Sequence, residues 1–204
     1  MKKYFAALAT TALISAAPFA LAASSTDLTV KGLITPIACT PTFTGGGVID
    51  IGKISSADLS ETNNTLVGTN TIQLEVACDA AISFALNPID NKGGTSIADW
   101  FGLGLTPADE PLGQFVPKVV QVKDATNSLD AIKSEDGGST WVKADNAQAG
   151  YLLSFAATGT TTPIDAKDVT FYFEVDTYIN KTSELTLTDE VTLDGSATFE
   201  VKYL

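Results

Sequence analysis

The amino-acid sequence predicts an all-β protein folded as an antiparallel sandwich. Short segments rich in threonine, valine, isoleucine and aromatic residues recur along the chain, and turn residues bound them. Helical periodicity is weak, with room for one helical turn at residues 55–60. Strands that alternate with helices would instead indicate a parallel α/β fold, and the sequence lacks that alternation.

The first 22 residues have the pattern of a secretory signal peptide. Two lysines precede an apolar stretch, and residues 20–22 form a small-residue cleavage site. The alternative is an uncleaved membrane anchor, which is less favoured because Pro18 interrupts a short apolar run. No later stretch is long and apolar enough to span a bilayer. We therefore predict export, no membrane insertion and a mature chain that begins at Ala23.

The composition of the mature chain excludes several classes of function. Its 182 residues suffice for one domain, and its 10 lysines against 24 acidic residues give a formal charge of −14. A surface this acidic repels nucleic acid and anionic lipid. The chain has no histidine, which excludes a Ser-His-Asp triad and removes the commonest general base.

Two cysteines, Cys39 and Cys78, remain in the mature chain. In an exported protein this even count predicts one disulfide bond. The alternatives are two free thiols or a metal pair, and the metal pair lacks supporting ligands. Closing a loop of about 40 residues would stabilise the fold by about 4 kcal/mol.

The mature chain opens on an alternating segment, STDLTVKGLITPIAC, at residues 25–39. Leu28, Val30, Gly32 and Ile34 form one row with period two, the spacing of side chains on one face of a strand. The segment is either the first strand of its own sheet or an arm that completes the sheet of another molecule. Gly32 would then mark a shallow pocket or a close backbone approach.

The remaining predicted strands follow in order. They are VIDI (48–51), TIQLEVAC (71–78), ISFAL (82–86), KVVQVK (118–123), YLLSFAA (151–157), VTFYFEVDTYI (169–179), ELTLT (184–188), EVTLD (190–194) and ATFEVKY (197–203). The predicted turns are GGG (45–47), NPIDNKGG (87–94) and SEDGGS (134–139). Residues 88–147 are rich in glycine, aspartate and proline, so we expect long loops between strands there.

Four motifs occur in a set order. The alternating segment with its glycine leads to Cys39, VIDIGKISSADLS follows, TIQLEVAC ends at Cys78, and ATFEVKYL carries Tyr203 next to last. Together they resemble the structural subunits of bacterial chaperone–usher pili, over residues 25–79 and 195–204. The chain is also similar to fimbrial-like exported proteins classified only as a domain of unknown function.

The resemblance implies an immunoglobulin-like sandwich that lacks its last strand. A periplasmic chaperone would fill the gap first, and the N-terminal arm of a neighbouring subunit would replace it after delivery to an outer-membrane usher. It implies a donor strand at Leu28, Val30, Gly32 and Ile34, and a chaperone-binding terminal strand at Phe199, Val201 and Tyr203. It also implies that the disulfide ties the first strand to the second. Residues 23–36 would be the donor extension and residues 37–204 the pilin-like domain.

The resemblance further implies a structural protein on the cell surface, without enzymatic activity, metal or cofactor. One rival is a self-complete secreted sandwich that binds carbohydrate or calcium, and another is a hydrolase with two carboxylates. The acidic loops at 123–130 and 134–139 suit calcium, but without EF-hand spacing solvated turns are favoured. Trp100 and Trp141 could stack on a sugar, although buried packing is commoner. Tyr203 would also serve as a core aromatic.

Overall fold

A computed structural model of the chain describes residues 28–32 and 38–204. The chain divides into two units, Met1–Ile34 and Thr35–Leu204. The predicted signal peptide and Ile34 of the predicted donor row lie outside the described residues. Within the first unit, residues 28–32 form neither helix nor strand.

The second unit is an all-β antiparallel protein, as the sequence predicts. Its ten strands are β1 Cys39–Phe43, β2 Thr65–Ile82, β3 Phe84–Asp90, β4 Phe101–Gly102, β5 Gly113–Lys123, β6 Ser128–Ser134, β7 Val142–Lys143, β8 Leu152–Ala157, β9 Ala166–Ile179 and β10 Ala197–Tyr203. Helical structure in the described residues is limited to three 3₁₀ turns, Thr44–Gly47, Ser56–Asp58 and Thr182–Glu184. The second of these lies within the predicted turn at 55–60.

Hydrogen bonds join all ten strands in one sheet. The strand order is β1-β2-β9-β5-β6-β8-β3-β10, with β4 beside β5 and β7 beside β6. The sheet curls until its two end strands approach each other, and the rings of Phe43 in β1 and Phe199 in β10 meet edge to face with centroids 5.3 Å apart. The sheet is therefore nearly closed, but β1 and β10 share no strand pairing.

The core lies against the middle of β9. Alternate residues of this strand, from Val169 through Phe171 and Phe173 to Val175, are buried. The five largest fully buried side chains are all phenylalanines, namely Phe84, Phe101, Phe155, Phe171 and Phe173. Burying each such ring stabilises the fold by about 1.5–3 kcal/mol. The rings come from β3, β4, β8 and β9, so strands far apart in the sheet order share one core.

Most predicted strands are confirmed. Residues 71–78, 118–123, 151–157 and 169–179 fall in β2, β5, β8 and β9 apart from Tyr151, and residues 197–203 coincide with β10. The predicted strand at 82–86 is divided, since β2 ends at Ile82 and β3 begins at Phe84.

Three predicted strands are wrong. Residues 48–51, 184–188 and 190–194 form no strand, because no neighbouring strand lies beside them to complete a ladder. The expectation of long loops over 88–147 is also wrong in part, since β6 at Ser128–Ser134 was not predicted. Its short run, SLDAIKS, interrupts the apolar residues with charged ones, so the sequence gives little alternation to detect.

Candidate functional site

An apolar groove of about 760 Å³ lies between the two ends of the sheet. Its floor is formed by β2, β5 and β9. We call residues 48–59 its first wall and residues 185–196 its second wall. The aliphatic residues of the walls that line the groove include Ile49, Ile51, Ile54, Leu187, Val191 and Leu193.

Three glycines at the end of β1 direct the chain into the first wall. Gly45, Gly46 and Gly47 have φ angles of 63°, 72° and 76°, which L-residues with a side chain rarely adopt. They turn the chain out of the ladder after Phe43. The following segment keeps the apolar alternation of a strand without a strand partner, so its isoleucines remain available to the groove.

The second wall is attached to the body near its start, where the Thr186 N–H and hydroxyl donate to the Glu110 carboxylate, and again at its last residues. The Asp194 N–H donates to the carbonyl of Leu103 over 3.0 Å, and the Asp194 carboxylate pairs with Lys92. Gly195 allows this close approach, because a Cβ there would lie 2.8 Å from Cδ2 of Leu103. Before this attachment the wall is apolar at every second residue, except at Asp189.

One end of the groove is closed by contacts between β1 and β10. The Cys39 N–H donates to the Tyr203 hydroxyl over 2.9 Å. Cys39 also forms the predicted disulfide with Cys78, its directly opposite residue in β2, with Cα atoms 3.9 Å apart. The disulfide therefore holds β1 on the sheet at the point where Tyr203 holds it beside β10.

The three residues predicted to bind a chaperone lie on the inner face of β10. Phe199, Val201 and Tyr203 are half-buried and pack against the core, whereas the residues between them are exposed. Tyr203 is thus a core aromatic, as the sequence also suggested. Chaperone binding by this strand stays a prediction.

The described part of the predicted donor row is exposed. Leu28 and Val30 expose 90% and 87% of their surface, and a Cβ added at Gly32 would meet nothing within 4 Å. Within the described residues, Leu28 and Val30 therefore bury little apolar surface.

The acidic loops use their carboxylates to hold their own turns. Hydrogen bonds from the side chain and N–H of Thr140 and from Ser134 lower the pKa of Asp136. Hydrogen bonds from Asn127 and Thr126 lower the pKa of Asp124 in the same way. Within residues 28–32 and 38–204, no group of three or more acidic or cysteine residues is placed to hold a metal ion.

A buried carboxylate, Asp176, was not identified as a candidate site residue in the sequence. It accepts hydrogen bonds from the Thr69 hydroxyl at 2.7 Å and from the Tyr178 hydroxyl at 3.3 Å, and it pairs with Lys118. Burial raises the pKa of Asp176, but the hydrogen bonds from Lys118 and Thr69 outweigh burial and lower it overall. The sequence feature that could have identified Asp176 is the presence of an acidic residue within the apolar run VTFYFEVDTYI. Because Val175 and Thr177 line the groove, Asp176 lies on the opposite face of β9.

The walls of the groove were also missed as a site. Their signal was period-two alternation in segments that pair with no strand, and it is recognisable only once the sheet topology is known. No helix in the described part of the chain is long and apolar enough to cross a membrane.

Comparisons with known proteins show the family to which the chain belongs. A family model described as "Protein of unknown function (DUF1120)" matches residues 28–101, which include the predicted donor row, both cysteines and the first wall. Uncharacterized protein YhcF of Escherichia coli K12 is 24% identical over 227 aligned positions, which cover 91% of this chain and 94% of that protein. Protein GltF of the same strain is 30% identical over 253 aligned positions, which cover 100% of this chain and 99% of that protein. The chain therefore belongs to the family of Protein GltF.

Proposed function

We propose that the mature chain is a structural subunit of a bacterial surface fimbria, assembled by exchange of β-strands. A periplasmic chaperone holds the exported subunit, an outer-membrane usher transfers it to the fibre, and the fibre supports adhesion or biofilm formation. The observation that carries the proposal is the groove lined by the two walls, by Phe43 of β1 and by Ala197 and Phe199 of β10, where β1 and β10 are the end strands of the sheet.

The groove has the properties of a sheet that lacks one strand. Its aliphatic walls leave apolar surface in contact with water, which costs about 25 cal/mol for each Å². The two end strands also present unpaired backbone groups, which promote association with other strands. An inserted strand offsets both costs at once. On this interpretation the domain is an incomplete immunoglobulin-like sandwich.

The N-terminal arm of a neighbouring copy is the strand that we assign to the groove. Its apolar row at Leu28, Val30, Gly32 and Ile34 would face one way in an extended strand. Main-chain hydrogen bonds would supply affinity, and the alternate side chains would select the register. The exposure of Leu28 and Val30 supports this role, because the arm then has apolar surface to bury.

The open edge of β10 suits a chaperone strand as well. A chaperone that pairs there would occupy the groove while the subunit is in the periplasm and would yield it to the arm of the next subunit. The partners are therefore strands of other proteins, either identical subunits or related ones in a mixed fibre.

A peptide with the sequence of residues 24–36 tests the proposal. Added to the mature chain, it should raise the melting temperature, because it binds only the folded state. A control peptide with Val30→Asp should give no increase, since a charge would be buried in the groove. If neither peptide changes the melting temperature and the protein is a stable monomer, the self-complete sandwich is favoured instead.

Deletion of residues 24–35 separates folding from assembly. The variant should still form a complex with the periplasmic chaperone, because residues 28–32 of the arm form no strand, but it should not add to a fibre. If the variant cannot fold even with a chaperone, the arm is a strand of its own domain and the proposal fails.

A further inference from the structure

We infer that the strand in the groove forms its hydrogen-bond ladder with β10 rather than β1, and that Pro41 and the Tyr203 hydroxyl prevent β1 and β10 from pairing with each other. This inference rests on the proposed function and commits to one occupant, residues 28–34 of a second copy. It assigns a role to two residues that neither the resemblance nor the family match addresses.

The free edge of β10 has a full set of backbone donors and acceptors. Beside it, the Asn91 N–H donates to the Ser196 carbonyl over 3.0 Å, and the Leu204 N–H donates to the Ser83 carbonyl over 3.2 Å. Antiparallel pairs alternate between hydrogen-bonded and non-hydrogen-bonded positions, so the even-numbered residues of β10 bond β3. The odd-numbered residues, Ala197, Phe199, Val201 and Tyr203, then direct their backbone groups away from β3. Ala197 and Phe199 line the groove, and Val201 and Tyr203 face β1 at its closed end.

The edge of β1 is poor in donors. The Asp79 N–H donates to the Ala38 carbonyl over 2.9 Å, and the Gln73 N–H donates to the Thr44 hydroxyl over 3.1 Å, so the even-numbered residues face β2. Cys39, Pro41 and Phe43 face β10, and of these three only Phe43 lines the groove. The Cys39 N–H is occupied by the Tyr203 hydroxyl, and Pro41 has no N–H. Over β1 only the Phe43 N–H remains as a donor toward the groove.

The position of Pro41 blocks direct closure of the sheet. The contacts of Cys39 with Tyr203 and of Phe43 with Phe199 set an antiparallel register in which Pro41 lies opposite Val201. A ladder in this register would lack its central donor, and the proline ring would project toward β10. Proline at this kind of position is a common means of blocking edge pairing. The ends of the sheet stay apart, and the β10 ladder stays available to an incoming strand.

Amide hydrogen exchange in the mature chain, at a concentration where it is monomeric, tests the role of Pro41. Pro41→Ala removes the ring that holds the strands apart, so the Val201 N–H can donate to the carbonyl of residue 41, and its exchange should slow by about fivefold, the value of one net hydrogen bond. Thr40→Ala is the matched control, because Thr40 directs its backbone at β2 and its side chain is exposed. Equal exchange at Val201 in the wild type and in Pro41→Ala would overturn this role, and no peptide is needed to obtain that result.

The residue 24–36 peptide tests the ladder itself. Its binding should protect the amides of Ala197 and Phe199, and Pro41→Ala should bind it about fivefold more weakly than Thr40→Ala does. Protection of Phe43 without protection of β10 would overturn the assignment of the ladder. If the peptide fails to bind the wild type, the assignment of the ladder and the proposed function both fail, and the exchange comparison of Pro41→Ala still decides the role of Pro41.

Discussion

Strand β9 and the second wall of the groove carry the same kind of sequence pattern but have different structures. Residues 169–179 and residues 185–193 both place apolar side chains at every second position, except at Thr177 and Asp189. The first segment lies between β2 and β5 and is a strand along its whole length, whereas the second has the groove beside it and is not a strand. The comparison shows that alternation specifies a face, and that neighbouring strands decide whether a ladder forms.

The largest expected effect on stability comes from β9, the buried strand of the two segments compared. Phe171 in β9 is fully buried and contacts the rings of Phe155 and Phe173. Phe171→Ala should lower the free energy of unfolding by about 3–5 kcal/mol, because it removes buried surface and leaves a cavity. Urea unfolding followed by fluorescence measures this. A loss below about 1 kcal/mol would mean that β9 is not the centre of the core.

Removal of the disulfide should loosen the attachment of β1 to β2 at the closed end of the groove. The double variant Cys39→Ser, Cys78→Ser should lose about 4 kcal/mol of unfolding free energy, because the bond closes a loop between residues 39 apart in sequence. Urea unfolding of the variant and of the reduced wild type should agree. A variant as stable as the oxidised wild type would contradict the prediction, and so would two free thiols in protein from the native periplasm.

The ion pair on the opposite face of β9 predicts how stability depends on pH. The lowered pKa of Asp176 means that its contribution is complete above its ordinary value of 3.8 and is lost as pH falls through the folded-state value. The hydrogen bond to Asp176 raises the pKa of Lys118, so that residue's contribution is lost as pH rises above 10.5 through its folded-state value.

Asp176→Asn should therefore lower the free energy of unfolding by about 1–3 kcal/mol at pH 7. It should also make that free energy less dependent on pH between pH 7 and pH 2. Unfolding curves between pH 7 and pH 2 test this. Glu174→Gln is the control, since Glu174 lies on the same face, 3.9 Å from the Lys118 ammonium, and is more exposed. An Asp176→Asn curve with the same pH dependence as wild type would refute the assignment.

The smallest effect on stability should come from the second wall. Leu187 is half-buried beside the groove, so Leu187→Ala should cost about 1 kcal/mol or less in the free protein. The same change should weaken binding of the residue 24–36 peptide, because Leu187 would be buried only in the complex. Calorimetric titration of wild type and variant decides this. A large loss of stability with unchanged peptide binding would place Leu187 in the permanent core.

Much of the fold could be predicted from local patterns. The bounds of β10 and most of β9 follow from alternation over seven or more residues, and the disulfide follows from two cysteines in an exported chain. Strand β6 was missed because its alternation is short and interrupted by charge. The groove could not be predicted, because its floor and walls come from segments that are far apart in sequence.

The sequence by itself determined the all-β class, the disulfide and the apolar row at Leu28, Val30 and Gly32, since each depends on residue type and short spacing. Only the tertiary structure decided which alternating segments pair, and it placed the edges of β1 and β10 beside one groove. It also decided that the backbone nitrogen of Pro41, which carries no hydrogen, faces β10. The physical reason is that strand pairing joins backbone groups distant in sequence, so the direction of a backbone donor is set by the neighbouring strand and not by the residue itself.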